Sequence, residues 1–331
     1  MIDFVIAWVD GSDPEWLDEK RKYMPDFTQD DGIQRYRDWN SLRYFFRGVE
    51  NFAPWVRKVH FVTYGHLPEW LDTSNSKLHI VNHTDFIPEK YLPTFNSHTI
   101  ELNLYRIEGL ANQFVYFNDD MFLTSAVNES YFFYNGLPCD EFILDPVYFA
   151  KDSAGSYNGN DLEIINSHFN LKKIRKNGQI PLWKIYSSKY GIKNLYRNLT
   201  LMRWPWFSGF HYNHLPTSFA KPVFEEVWDR EFGVLDATCM DRFRSKRNVN
   251  QWLFKYWQLA SGMFYPRNPG YGKVFHLKTE VNHDLIRSIE EQRYRMICIN
   301  DTVKTKNFEV HRDAVNSAFE KILPLQSSYE K

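Results

Sequence analysis

Asn118-Asp119-Asp120 follows the apolar run 113–117 and places two adjacent carboxylates where a buried strand would stop. The carboxyl end of a strand is where open α/β sheets build their ligand crevices. Two anions and an amide there, with no basic neighbour, suit a hard divalent cation, Mg²⁺ or Mn²⁺, and the phosphate it carries. An Asn-Asp turn leading into a helix cap would explain the same three residues, so other segments must decide. Trp8-Val9-Asp10-Gly11-Ser12-Asp13-Pro14 is a second candidate: a carboxylate and a glycine turn behind an apolar run, where backbone amides can approach a nucleotide and Asp10 can hold a ribose or base. Arg35, Arg37, Arg43 and Arg47 crowd one stretch. Guanidinium groups pair with phosphate in bidentate fashion, although a solvated helix face accounts for at least two of the four. His211 and His214 supply imidazoles able to take a proton from a hydroxyl near neutral pH. Asn300-Asp301 closes another short apolar run and could add oxygen ligands to the same cation.

Elements that could position these groups alternate along the first half. The apolar run 3–9 reads as a strand ending in the Asp10-Gly11 turn. Leu42, Phe45, Phe46 and Val49 recur at helical spacing, and Pro54 marks the stop. Segments 58–63 and 78–81 read as strands. Asn96-Ser97 caps an expected helix with Ile100, Leu104, Ile107 and Leu110 on one face, and 113–117 is the strand that delivers the acid pair. Strands separated by helices pair in parallel through right-handed crossovers, so the expected core is Rossmann-like. From 151 to 210 no period is sustained, and Lys172-Lys173-Ile174-Arg175-Lys176 forms a basic patch: a solvated face, or a surface for an anionic acceptor or lipid headgroups. Helical spacing returns at 223–228 and 249–259, and a closing helix over 314–323 precedes an expected frayed tail.

The 331 residues can bury a sizeable core, and a formal charge of −1 gives no global electrostatic case for nucleic acid. No stretch approaches the roughly 20 apolar residues of a membrane helix, and the Met1-Ile2-Asp3 start does not resemble a signal peptide. A soluble, cytoplasmic protein is expected. Cys139, Cys239 and Cys298 lie far apart without metal spacing, so free, mostly buried thiols are expected. Aromatic content is 18% with 11 Trp, which suits sugar stacking but equally suits ordinary packing.

Four blocks in order resemble the Stealth family of sugar-phosphate transferases, which includes bacterial capsular polysaccharide phosphotransferases and the α/β subunit of the lysosomal-enzyme N-acetylglucosamine-1-phosphotransferase. The first is 2–14. The second passes Arg37-Asp38, Leu42-Arg43-Tyr44, Ala53-Pro54-Trp55-Val56-Arg57 and Leu92-Pro93-Thr94-Phe95-Asn96-Ser97 to end at 116–122. The third runs from His214-Leu215-Pro216 to Arg242-Phe243-Arg244, and the fourth is Cys298-Ile299-Asn300-Asp301. The resemblance implies transfer of hexose 1-phosphate from a UDP-sugar donor to a glycan hydroxyl, with release of UMP, in polysaccharide synthesis. It implies a cation on Asp119 and Asp120, assisted by Asn118, Asn300 and Asp301, and charge stabilisation by Arg37, Arg43 and Arg244. His214 is the implied base, with one of the aspartates as alternative. Trp8, Asp10 and Gly11 fall to the nucleotide, and Asn96 and Ser97 complete the substrate-binding set. The acceptor could be lipid-linked, with peripheral contact at the inner face of the membrane. The expected fold is α/β, a GT-A-like, mostly parallel sheet flanked by helices with a helix-rich insertion in the second half. It is read as one catalytic domain: a donor-binding core over 1–135, an acceptor-side region over 136–265, and a return to the core over 266–331. The competing readings are a metal-dependent glycosyltransferase releasing UDP and a non-catalytic glycan-binding protein.

Overall fold

Phe4, Val5 and Ile6 are all fully buried, and that apolar run becomes the central strand of the molecule. A computed structural model of the chain describes residues 1–24, 38–150, 154–277, 279–301 and 307–331. Its strands are β1 (Ile2–Ala7), β2 (Val59–Thr63), β3 (Leu78–Asn82), β4 (Gln113–Asn118), β5 (Met121–Leu123), β6 (Phe133–Tyr134), β7 (Leu137–Asp140), β8 (Thr217–Ala220), β9 (Tyr265–Pro266), β10 (Gly272–His276) and β11 (Met296–Asn300). The main sheet runs β3-β2-β1-β4-β8. Its first four strands are parallel and β8 is antiparallel to β4. The fold is therefore mixed α/β with a mostly parallel sheet, as the alternation of strand and helix signals requires.

Side chains of a strand alternate between faces, and β1 does so between two apolar layers. Val5 joins a cluster with Val62, Phe114 and Phe219, while Phe4 and Ile6 join Phe61, Val115 and Phe117 on the other face. The helix Leu42–Phe52 covers the second layer with Tyr44, Phe45, Phe46 and Val49, all buried. Two smaller sheets are added, β10-β11-β5 and β6-β7-β9.

The structure departs from the sequence reading in three places. The helix capped by Asn96 ends early: Ser97–Asn103 is α-helical and Leu104–Arg106 tightens into a 3-10 turn, while Ile107 and Leu110 stay buried beyond it. Among the described residues the loosely patterned stretch holds four α-helices, Gly155–His168, Leu171–Asn177, Leu182–Ile185 and Ile192–Leu201. Its period was masked because a polar residue occupies an inward position: fully buried Asn198 accepts from Leu144 N–H at 2.8 Å and donates to the carbonyls of Phe142 and Ile185 at 2.7 and 2.8 Å. The C-terminal tail is latched rather than frayed. Leu71 bridges Glu330, Tyr329 is buried, and Glu330 takes Arg47 Nε at 2.8 Å.

One glycine carries a sharp test of local packing. Gly209 has φ +132°, and a Cβ there would lie 2.5 Å from the Asp145 carbonyl oxygen. Gly209→Ala is expected to cost about 1–3 kcal/mol, read as a lower urea midpoint for unfolding; an unchanged midpoint would contradict this geometry.

Candidate active site

Backbone register brings the separated motifs to one edge. Ala7 pairs with Asn118, so the loops leaving β1 and β4 emerge side by side at the carboxyl ends of parallel strands. Thr217 pairs with Tyr116 on the antiparallel neighbour, which sets the segment entering β8, with His214, at the same edge. Met121 pairs with Cys298, and Ile299 N–H donates to the Asp120 carbonyl at 2.9 Å, so β11 delivers Cys298 and Asn300 beside the acid pair.

The side chains then converge. His214 Nε2 lies 3.2 Å from Asn118 Nδ2 and 3.7 Å from Asp120 Oδ2. Tyr212 Oη is 3.4 Å from His214 Nδ1, with the two rings stacked at 6.1 Å. The Cys298 thiol donates to Asp120 Oδ2 at 3.2 Å, while Asp120 Oδ1 is buried without a hydrogen-bond partner. Arg244 Nη2 donates to Ser97 Oγ at 2.5 Å.

Electrostatics mark the same cluster. Asp119 is reached by solvent but flanked by protein; that partial desolvation, joined by the like charge of Asp120, pushes its carboxyl up to about 7. Burial alone would lower the His214 pKa, but the hydrogen bond and charge of Asp120 and the charge of Glu101 outweigh it, so the pKa is raised. Glu101 belongs to the same electrostatic cluster, and sequence reasoning missed it. It is buried inside the helix Ser97–Asn103, and burial pushes it up to about 7 against the opposing pull of Arg244 and His214. The available signal was an ionisable residue set between Ile100 and Leu102 in an otherwise core-facing stretch.

The remaining expected residues divide. Trp8 stacks on Phe61 at 5.6 Å and meets His66 edge-on, half-buried beside the site edge. Asp10 shapes its own loop: Oδ1 accepts from Ser12 N–H and Oγ at 2.8 and 2.7 Å, and its N–H donates to His66 Nε2 at 2.7 Å. Gly11 forms the turn between them. Ser97 joins the site through Arg244. Asn96 does not: it is fully buried, accepts from His98 N–H at 3.1 Å and donates to Asp241 O and Asn248 Oδ1 at 3.0 and 3.2 Å. Its hydrogen-bonding groups are engaged within the chain, so it braces the loop that carries Arg244 instead of touching substrate. Arg43 donates to Asn40 Oδ1 at 3.5 Å and lies over Trp70 at 5.6 Å. Arg47 is buried in the tail latch. Arg35 and Arg37 lie outside the described residues. Asn300 and Asp301, at the end of β11, stay near Asp120 through the Ile299 backbone bond.

A cation fits this donor set. Asp120, His214 and Cys298 offer ligand atoms within 4.8 Å of one another. Burial and Asp120 hold the Cys298 pKa well above its ordinary value, so the sulfur stays protonated and leaves a hard ion to the oxygens. The unpartnered Asp120 Oδ1, next to a second carboxylate already pushed towards protonation, is an anionic site short of positive charge.

Acids, an imidazole and a guanidinium gathered at one sheet edge make this the site of an enzyme. Residues 2–28 match the model of Stealth protein CR1, conserved region 1, and residues 35–139 that of Stealth protein CR2, conserved region 2. The chain is 40% identical to the capsular polysaccharide phosphotransferase WcwK of Streptococcus pneumoniae, over 100% of this chain and 98% of that one. It is 39% identical to the receptor polysaccharide phosphotransferase WefC of Streptococcus oralis, over 99% of each, and 36% identical to the exopolysaccharide phosphotransferase cps2G of Lactiplantibacillus plantarum, over 100% and 96%. This chain belongs to the Stealth family. Among solved structures, apo mouse xyloside xylosyltransferase 1 overlaps with a TM-score of 0.40 at 9% identity, covering 91% of this chain and 98% of that one, a likeness too slight to argue from.

Proposed function

We propose that this polysaccharide phosphotransferase moves hexose 1-phosphate from a UDP-sugar to a hydroxyl of a growing glycan, leaving a phosphodiester and releasing UMP. The observation that carries the reading is the Asp120 carboxylate, one oxygen uncompensated and the other 3.7 Å from His214 Nε2. In this reading the acceptor oxygen bonds to the sugar-side phosphorus and the bridging oxygen departs with UMP. His214 takes the hydroxyl proton on Nε2. Asn118 and Tyr212 fix the plane of the imidazole, and Arg244, held by Ser97, faces the negative charge that builds on phosphorus. Mg²⁺ or Mn²⁺ held by Asp119 and Asp120, with Asn118, Asn300 and Asp301 as supplementary oxygen donors, would neutralise the diphosphate. Trp8 and the Asp10-Gly11 loop would take the nucleotide.

The nucleotide product tests this directly. Incubation with UDP-sugars, a glycan acceptor and Mg²⁺ or Mn²⁺ is expected to release UMP; UDP would instead indicate attack at the anomeric carbon by a glycosyltransferase, and no consumption would indicate a glycan-binding protein. His214→Ala is expected to lower kcat by about 10²–10⁴ with little change in melting temperature. Retained turnover would remove the base assignment.

A further inference from the structure

Between residues 164 and 224 the chain carries ten Lys and Arg and no Asp or Glu, although the whole chain has a formal charge of −1. The same region gathers apolar surface. Seven of the nineteen exposed large hydrophobic side chains among the described residues fall within 182–206. On the helix Ile192–Leu201, Ile192, Tyr196 and Leu199 are 85%, 72% and 52% exposed, at i, i+4 and i+7, so they form one outward ridge. The opposite side of that helix holds buried Asn198 and packs on the core. Trp183, Trp204 and Trp206 are exposed nearby.

These pieces form one surface. Lys172 N–H donates to the Pro205 carbonyl at 3.2 Å and Arg175 Nη1 to the Met202 carbonyl at 2.8 Å, which ties the basic helix Leu171–Asn177 to the tryptophan loop. Asn198 Nδ2 ties the ridge helix to the carbonyl of Ile185 beside Trp183. Lys172, Lys173, Lys176, Lys193 and Arg203 are exposed around the apolar side chains. Arg197 of the ridge helix is paired with Asp145 at 2.9 Å, which leaves the exposed lysines and Arg203 as the local positive charge. Exposed apolar groups normally mark an interaction surface when they cluster, and an aliphatic and tryptophan ridge beside these cations has the composition of an interfacial, anionic-lipid contact.

We infer that this face docks the enzyme on an anionic lipid bilayer. Among the described residues no helix is long and apolar enough to cross a membrane, so the contact is peripheral. The chain runs from Trp206 to His214 in eight residues, pinned midway by the Leu144–Phe210 bridge, so docking would bring the catalytic edge towards acceptors held in the bilayer. The inference goes beyond the phosphotransfer reading and does not depend on it.

Sedimentation with vesicles tests it on the full chain. The protein is expected to bind vesicles of phosphatidylcholine and phosphatidylglycerol, to release in high salt, and to bind pure phosphatidylcholine at least about tenfold more weakly. The triple variant Ile192→Ser, Tyr196→Ser, Leu199→Ser and, separately, Lys172→Glu with Lys173→Glu and Lys176→Glu should each lower binding by about tenfold or more. Both should keep parental melting and parental UMP release with a soluble acceptor. Equal binding to both vesicle types, or a triple variant that binds like the parent, would overturn the inference. So would a dimer in size exclusion that the triple variant converts to monomer, because the face would then belong to a second copy. Vesicle binding requires no turnover, so absence of UMP release would count against the proposed reaction and leave this inference intact.

Discussion

Asp120→Asn is expected to lower kcat by on the order of 10³-fold and yet to gain melting temperature relative to the parent as pH rises from about 4 to about 8. The activity loss follows from removing the charge on a carboxylate whose Oδ1 is buried without a hydrogen-bond partner at the site. Asparagine keeps the shape and an oxygen for the Cys298 thiol, so packing is preserved. The stability sign comes from Asp119. Its folded pKa of about 7 lies above the ordinary 3.8, so ionising it costs stability progressively as pH rises from about 4 through about 7. Removing the neighbouring charge lowers that folded pKa and returns part of the cost. The variant should therefore gain melting temperature relative to the parent at about pH 8 and show no gain at about pH 4. Activity and stability moving in opposite directions is the expected trade at a site built for charge. An Asp120→Asn enzyme with parental turnover would remove the cation assignment.

Glu330→Ala should cost about 3–5 kcal/mol of stability. Arg47 and Glu330 side chains are only 5% and 2% exposed and meet through one guanidinium edge, Nε to Oε1 at 2.8 Å and Nη2 to Oε2 at 2.9 Å, while Arg47 Nη1 also reaches Glu320 and the Leu323 carbonyl. Truncating the acid leaves a buried guanidinium short of its principal partner. Burial alone would raise the Glu330 pKa, but the Arg47 hydrogen bond and charge, with the Ser327 bonds, hold it below the ordinary 4.5. A depressed carboxylate contributes stability above its unfolded pKa and loses it as pH falls through the folded value. Parent and variant urea midpoints should thus differ most near neutrality and converge in acid below about pH 4. A difference that persists undiminished at low pH would point to lost packing of Tyr329, not to the ion pair.

The chemistry was more legible in the sequence than its geometry. Continuous apolar runs gave β1, β2 and β4, since a strand buried on both faces needs no alternation, and the acid pair was legible as the end of one of them. β5 and β11, only three and five residues long, could not be paired from local pattern, yet their pairing is what places Cys298 against Asp120. Glu101 was hidden because a single acid in a short helix reads as a solvated position until tertiary contacts bury it. Asn96 illustrates the opposite error: the residue was correctly read as a cap, but a buried amide with several backbone partners is structural even inside a motif. Arg47 looked like one of several surface arginines, and its partners Glu320, Leu323 and Glu330 lie 273 to 283 residues away in the C-terminal helix and tail.

The pairing of β5 with β11 and of β4 with β8 also limits how members of this family can exchange parts. Hybrids that join the front of one relative to the back of another must preserve two interlocked seams, or the acid pair loses its backing. The span between those seams, 124–216, can be traded as a cassette only if it returns His214 to the same register.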